Sequence, residues 1–133
     1  VLFYLTGTNT LGVSASGAAT TYESVDIGNS VNVTLSAPTS GVYQGILFFQ
    51  DPSITLRTTG GTNYATFDGG ANMKLSGTLY FPTTQVLFDN GITATLSAAI
   101  VAWQLTIDAS ATFTYDSTGT KTGLFSQSVA LVQ

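Results

Sequence analysis

The 133-residue chain contains no cysteine and no histidine. Without cysteine there are no disulfides and no thiolate metal sites, although this does not select a compartment, because many bacterial surface proteins use none. Without histidine as well, a Ser-His-Asp triad, a Cys-His pair and a His-ligated metal centre are excluded. Charge is also scarce, at 8% of residues against roughly 25% in ordinary soluble domains. The three cations, Arg57, Lys74 and Lys121, are scattered within a net charge of −4. They form neither the basic stripe that neutralises nucleic-acid phosphates nor a polybasic membrane patch. No apolar run approaches the ~18 residues of a membrane-spanning helix. The opening Val1-Leu2-Phe3-Tyr4-Leu5 contains no charged n-region and is not expected to be a signal peptide. A chain that opens in mid-strand is expected to be an excised or processed part of something longer, and its length predicts a single domain over 1–133.

What replaces the missing charge is Thr, Ser, Gly and Asn, a composition common in secreted and cell-surface β-proteins. Apolar residues come in short runs stopped by turn residues. The pattern predicts strands over 1–5, 11–15, 22–27, 31–35, 46–49, 54–56, 64–67, 73–75, 79–81 and 86–88. Pro82 is expected to stop the run before it. The longest alternation places Val101, Trp103, Leu105, Ile107, Ala109, Ala111, Phe113 and Tyr115 on odd positions, which predicts a strand with these residues on one buried face. The stretch Ser97 to Ala102 has some helical propensity but feeds into that alternation and reads as strand. No amphipathic helix is expected anywhere.

Asp51, Asp68, Asp89 and Asp108 each close a short apolar segment, at spacings of 17, 21 and 19 residues. Asp suits such corners because its carboxylate caps local backbone N–H groups and it tolerates unusual φ. A period of about 20 residues with several short strands in each is the mark of stacked coils. The predicted fold is therefore all-β, a right-handed parallel β-helix or solenoid, with an antiparallel β-sandwich or jelly roll as the alternative.

Stacked corners would bring the four aspartates together at the ~4.8 Å strand spacing. Three readings of them follow: turn capping, which is preferred; calcium binding; and acid–base hydrolysis of a glycan. Neither Asp68-Gly69-Gly70 nor Asp89-Asn90-Gly91 has the ligand spacing of a known calcium loop. No catalytic, cofactor-binding or metal-binding residue is assigned, and no cofactor is expected. Trp103, Tyr80 and the phenylalanines are candidates for a sugar-stacking platform, but Trp103 is expected in the core. Tyr22, Tyr43 and Tyr64 are expected to be exposed, and nothing in the sequence places them side by side. Thr-x-Thr pairs at Thr6/Thr8, Thr93/Thr95, Thr112/Thr114 and Thr118/Thr120/Thr122, and the doublets Thr20-Thr21, Thr58-Thr59 and Thr83-Thr84, raise an ice-binding face but read first as ordinary strand residues.

Four phrases in order, Ala37-Pro38-Thr39-Ser40-Gly41, Gly45-Ile46-Leu47-Phe48-Phe49-Gln50-Asp51, Leu75-Ser76-Gly77-Thr78-Leu79-Tyr80-Phe81-Pro82 and Ile100-Val101-Ala102, resemble the C-terminal region of TadG-like proteins. These are components of bacterial tight-adherence (Flp) pilus systems. The resemblance covers most of residues 1–110 and is most specific at Gly77 to Pro82. It implies an extracytoplasmic, non-enzymatic role in surface adhesion or pilus assembly, with the motif residues serving architecture. The expected partners are copies of the chain stacked end to end, neighbouring domains of a longer chain, or a surface glycan. Neither nucleic acid nor a membrane-spanning segment is expected.

Overall fold

A computed structural model describes residues 1–6, 24–28, 30–54, 64–68, 72–97, 99–108 and 110–115. All regular structure among them is strand: β1 (Phe3–Leu5), β2 (Asp26–Ile27), β3 (Val33–Ser36), β4 (Ile46–Gln50), β5 (Ala65–Phe67), β6 (Asn72–Ser76), β7 (Thr78–Phe88), β8 (Thr93–Ser97), β9 (Ile100–Ile107) and β10 (Thr112–Tyr115). The expected strand over 11–15, the start of that over 22–27 at residues 22–23, the end of that over 54–56 at residues 55–56, and Thr8, Thr20-Thr21, Thr58-Thr59, Ala109 and Thr118/Thr120/Thr122 lie outside the described residues.

Every described pairing is parallel, so these residues do not form the alternative antiparallel sandwich or jelly roll. The strands fall into three columns. β1, β4 and the first halves of β7 and β9 form one; β2, β5 and the second halves of β7 and β9 form another. β3, β6, β8 and β10 form the third. The chain visits the columns in the same order each time. In the later turns the register advances by 21 and then 19 residues, through Phe67, Phe88 and Ile107 and through Met73, Ala94 and Phe113. The step before is 40 residues in both columns, Ile27 to Phe67 and Val33 to Met73, so the short period describes only part of the chain.

The period-2 patterns turn one row of each strand inward. Phe48, Phe67, Phe81, Phe88, Leu75, Leu79 and Met73 are fully buried there, and Leu47, at the register shift of β4, is buried beside Phe48, each contributing roughly 1.5–3 kcal/mol of apolar burial. Parallel pairing stacks like on like. Phe3 lies 4.8 Å from Phe48 and Phe67 lies 5.0 Å from Phe88, while between two columns Phe88 meets the edge of Phe113 at 4.9 Å.

Two sequence expectations are corrected. Pro82 does not stop a strand: β7 runs through it, and the chain bends there. Between Phe81 and Gln85 the register against β9 slips, setting three β7 residues opposite Trp103 alone. A bulge leaves backbone groups unpaired, which suits a residue without an N–H. The bend also reverses parity, so Leu79 and Phe81 point inward before it and Thr84, Val86 and Phe88 after it. For the same reason the odd positions of β9 do not share one buried face. Val101 pairs with outward Tyr80, whereas Leu105 and Ile107 pair with inward Val86 and Phe88. A strict alternation in sequence is thus split by a corner at Trp103.

The bend is held by a buried amide. Gln50, fully buried, donates through Nε2 to Thr84 Oγ1, and its Oε1 accepts from Thr83 N at 3.4 Å. Thr83 Oγ1 in turn donates to the Ile54 carbonyl. A second tight point is Gly77, between β6 and β7, whose φ is +122°. A Cβ there would lie 2.4 Å from Ala37 Cβ and 3.1 Å from the Gly45 carbonyl oxygen.

Candidate functional site

The corner aspartates divide into two places. Asp68, Asp89 and Asp108 follow paired residues of one column, and their N–H groups donate to the carbonyls of Ile27, Phe67 and Phe88, each on the preceding strand, at 2.8, 3.1 and 2.9 Å. Asp51 stands elsewhere, at the end of β4, donating to the Leu5 carbonyl at 2.9 Å. The fourfold repeat read from the sequence is therefore a threefold stack plus one unrelated corner.

Three of these carboxylates cap their own turns. Asp51 Oδ1 accepts from Ser53 N at 2.9 Å, Asp89 Oδ1 from Asn90 N at 2.7 Å, and Asp108 Oδ1 from Ser110 N at 3.1 Å. Asp68 Oδ1 accepts from Asn90 Nδ2 of the next turn at 2.6 Å. Asn90 and Gly91 both have positive φ, and Ile92 N donates to the Asp89 carbonyl at 3.3 Å, a tight turn with two left-handed central residues. Hydrogen bonds from Ser53, backbone first, and from Thr6 hold the Asp51 carboxyl below its ordinary pKa. No set of three acidic groups among the described residues is disposed to hold a metal ion.

The outward side of the first column carries an aromatic ladder. Tyr4, Phe49 and Tyr80 occupy successive strands in register. Their rings stack at 5.3 and 5.1 Å, and Tyr43 packs against Tyr4 at 5.9 Å and Phe49 at 5.5 Å. Loss of solvation, then the charge of Asp51 and the nearby Tyr43, push the Tyr4 hydroxyl above its ordinary pKa. Tyr80, a candidate platform residue, thus has its ring against Phe49 rather than open to a ligand. Stacking along the sheet turns ring faces toward each other and leaves mainly edges outward, the arrangement of a structural ladder. Tyr43, expected to be exposed, is half-buried in this cluster; Tyr22 lies outside the described residues, and Tyr64 is partly buried beside β5. The ladder escaped sequence reading because its members are separated by 45 and 31 residues. The available signal was an aromatic flanked by inward residues in Phe3-Tyr4-Leu5, Phe48-Phe49-Gln50 and Leu79-Tyr80-Phe81.

The outward side of the third column is hydroxyl-rich. Asn72, Thr93 and Thr112 form one row, Thr34, Lys74, Thr95 and Thr114 the next, and Ser36, Ser76 and Ser97 a third. Two of the Thr-x-Thr pairs therefore stand side by side in register, with Lys74 interrupting the row of Thr34, Thr95 and Thr114.

The last described strands leave an edge open. Among the described strands β9 pairs only with β7, and β10 only with β8. Trp103, expected in the core, is 39% exposed at the corner of β9, and the inward-row residues Leu105 and Ile107 are 45% and 50% exposed. The sequence places these apolar residues correctly on a strand but cannot show that the strand is an edge. No family model, curated protein or solved structure matches this chain.

Proposed function

We propose that the chain winds as a right-handed parallel β-helix and acts outside the cytoplasm as a non-enzymatic structural or adhesive module, in a bacterial pilus or surface-filament setting of the TadG-like kind. The observation that carries the fold part is the repeated visit to three parallel columns in constant order. Crossovers between parallel strands are right-handed in about 98% of cases. The functional part draws support from where polar groups are spent. The corner carboxylates are engaged in turns and between turns, the buried amide in a bend, and the outward aromatics in each other. Such a body offers rigid length and repetitive faces. The test follows the chain on intact bacteria that carry it. Protease added outside should digest it, and deletion of its coding segment should lower attachment to a surface at unchanged growth. Digestion only after lysis, or unchanged attachment, overturns the reading.

A second reading, a glycan- or ice-binding β-helix, is favoured by the in-register Thr93/Thr95 and Thr112/Thr114 pairs alone. It predicts co-sedimentation with an insoluble polysaccharide or inhibition of ice recrystallisation, lost on Thr95→Val with Thr114→Val. Neither effect in the parent chain would end it.

A further inference from the structure

The open edge formed by β9 and β10 has a complementary edge in the same molecule, at the far end of each column. There β1, β2 and β3 each have one partner among the described strands, namely β4, β5 and β6. Continuing the observed register by one further strand sets Tyr4 opposite Val101 and Leu5 opposite Ala102. It likewise sets Ile27 opposite Ile107, Asp26 opposite Thr106, Val33 opposite Phe113 and Thr34 opposite Thr114. Inward rows meet inward rows and outward rows meet outward rows in all three columns at once. β9 and β10 carry no charged residue, and Asp26 is the only one in β1, β2 and β3, so no like charges meet. Neither edge carries the lysine or proline that natural proteins place on strands to discourage pairing.

We infer that the β9–β10 edge docks the β1–β2–β3 edge of a second copy, extending the parallel columns from molecule to molecule. Such a contact joins different surfaces of the two copies, does not close on itself, and generates a filament. This rests on the β-helix reading above, and the test separates the two.

The chain has no cysteine, so a disulfide reports one chosen contact. In the variant Tyr4→Cys with Val101→Cys the two positions lie three strand spacings apart within a molecule, roughly 14 Å, beyond the ~7 Å Cα separation that a disulfide spans. Across the docked edges they are direct neighbours. Under mild oxidation with copper–phenanthroline the double variant should give a ladder of dimer, trimer and longer species on non-reducing gels, with peptide mapping joining positions 4 and 101. Either single variant, whose lone cysteine faces Val101 or Tyr4 across the docked edges, should stay monomeric on the same gels. A control, Tyr4→Cys with Phe49→Cys, places both groups on paired neighbours and should close within the monomer. Control closure without a ladder overturns the docking and leaves the fold reading standing. Failure of the control to close overturns the β-helix itself. Dimers from single variants in equal yield to the double variant would show like-to-like contact and also overturn the inference.

Discussion

Gly77→Ala is the substitution whose outcome the structure specifies most sharply. The residue follows β6, where its N–H donates to the Ser97 carbonyl at 3.1 Å, and the next N–H, of Thr78, donates to the Gly45 carbonyl at 2.7 Å. It thus joins three segments in a space with no room for a side chain. Two costs arise. The φ of +122° is a conformation that non-glycine residues adopt only under strain of about 1–3 kcal/mol. The new Cβ, 2.4 Å from Ala37 Cβ and 3.1 Å from the Gly45 oxygen, forces local displacement at about 1–3 kcal/mol more. Together these remove about 2–6 kcal/mol from a domain whose total stability is on the order of 5–15 kcal/mol. With a urea slope of about 2 kcal/mol per molar, the midpoint of a Trp103 fluorescence or circular-dichroism transition should fall by roughly 1–3 M. The partition is testable. Ala37→Gly removes the closest contact and leaves φ unchanged, so the double variant should recover about 1–2 kcal/mol relative to additivity. A Gly77→Ala variant within about 0.5 kcal/mol of the parent refutes the reasoning, and strict additivity with Ala37→Gly refutes its steric half.

Gln50→Leu should cost about 1–3 kcal/mol, because it leaves the buried Thr84 hydroxyl and the Thr83 N–H without their amide partner. Adding Thr84→Val should restore part of that in the same urea titration, and a neutral Gln50→Leu would remove the amide from the account of the bend. Phe49→Ala removes contacts with Tyr4, Tyr43 and Tyr80 and should lower stability by about 1–3 kcal/mol, while Phe49→Tyr stays within about 0.5 kcal/mol; equal stability of all three chains would mean that the ladder contributes nothing. For Asp51 the folded carboxyl titrates below its ordinary value. Its contribution is therefore present above the unfolded pKa of about 3.9 and is lost as pH falls through the lower folded pKa. A carboxyl NMR titration should show that depression, and Ser53→Ala should raise the pKa only part of the way, since the backbone N–H remains; an unmoved titration would exclude the hydroxyl as a cause.

Local chemistry alone settled a good deal. Pro, Gly and Asn-Gly interruptions rule out helices, a period-2 run gives the strand at Met73–Leu75 and a continuous apolar run the one at Ile46–Phe49, and Asp51, Asp89 and Asp108 read as caps because a short carboxylate reaches the N–H groups one or two residues ahead. These properties depend on residues close in sequence, and the structure agrees with them. Pairing is different, because it depends on which strand lies alongside. Only the tertiary structure assigned Asp51 to a separate corner, carried β7 through Pro82, and split Val101 from Leu105 and Ile107. A bend that reverses parity leaves no trace in an alternation of residue types. The aromatic ladder and the Thr rows likewise exist only once segments 19 to 45 residues apart are set 1 strand spacing apart. The exposed face of Leu105 and Ile107 follows the same logic: sequence records that a side chain is apolar, and the neighbouring strand decides whether it is covered.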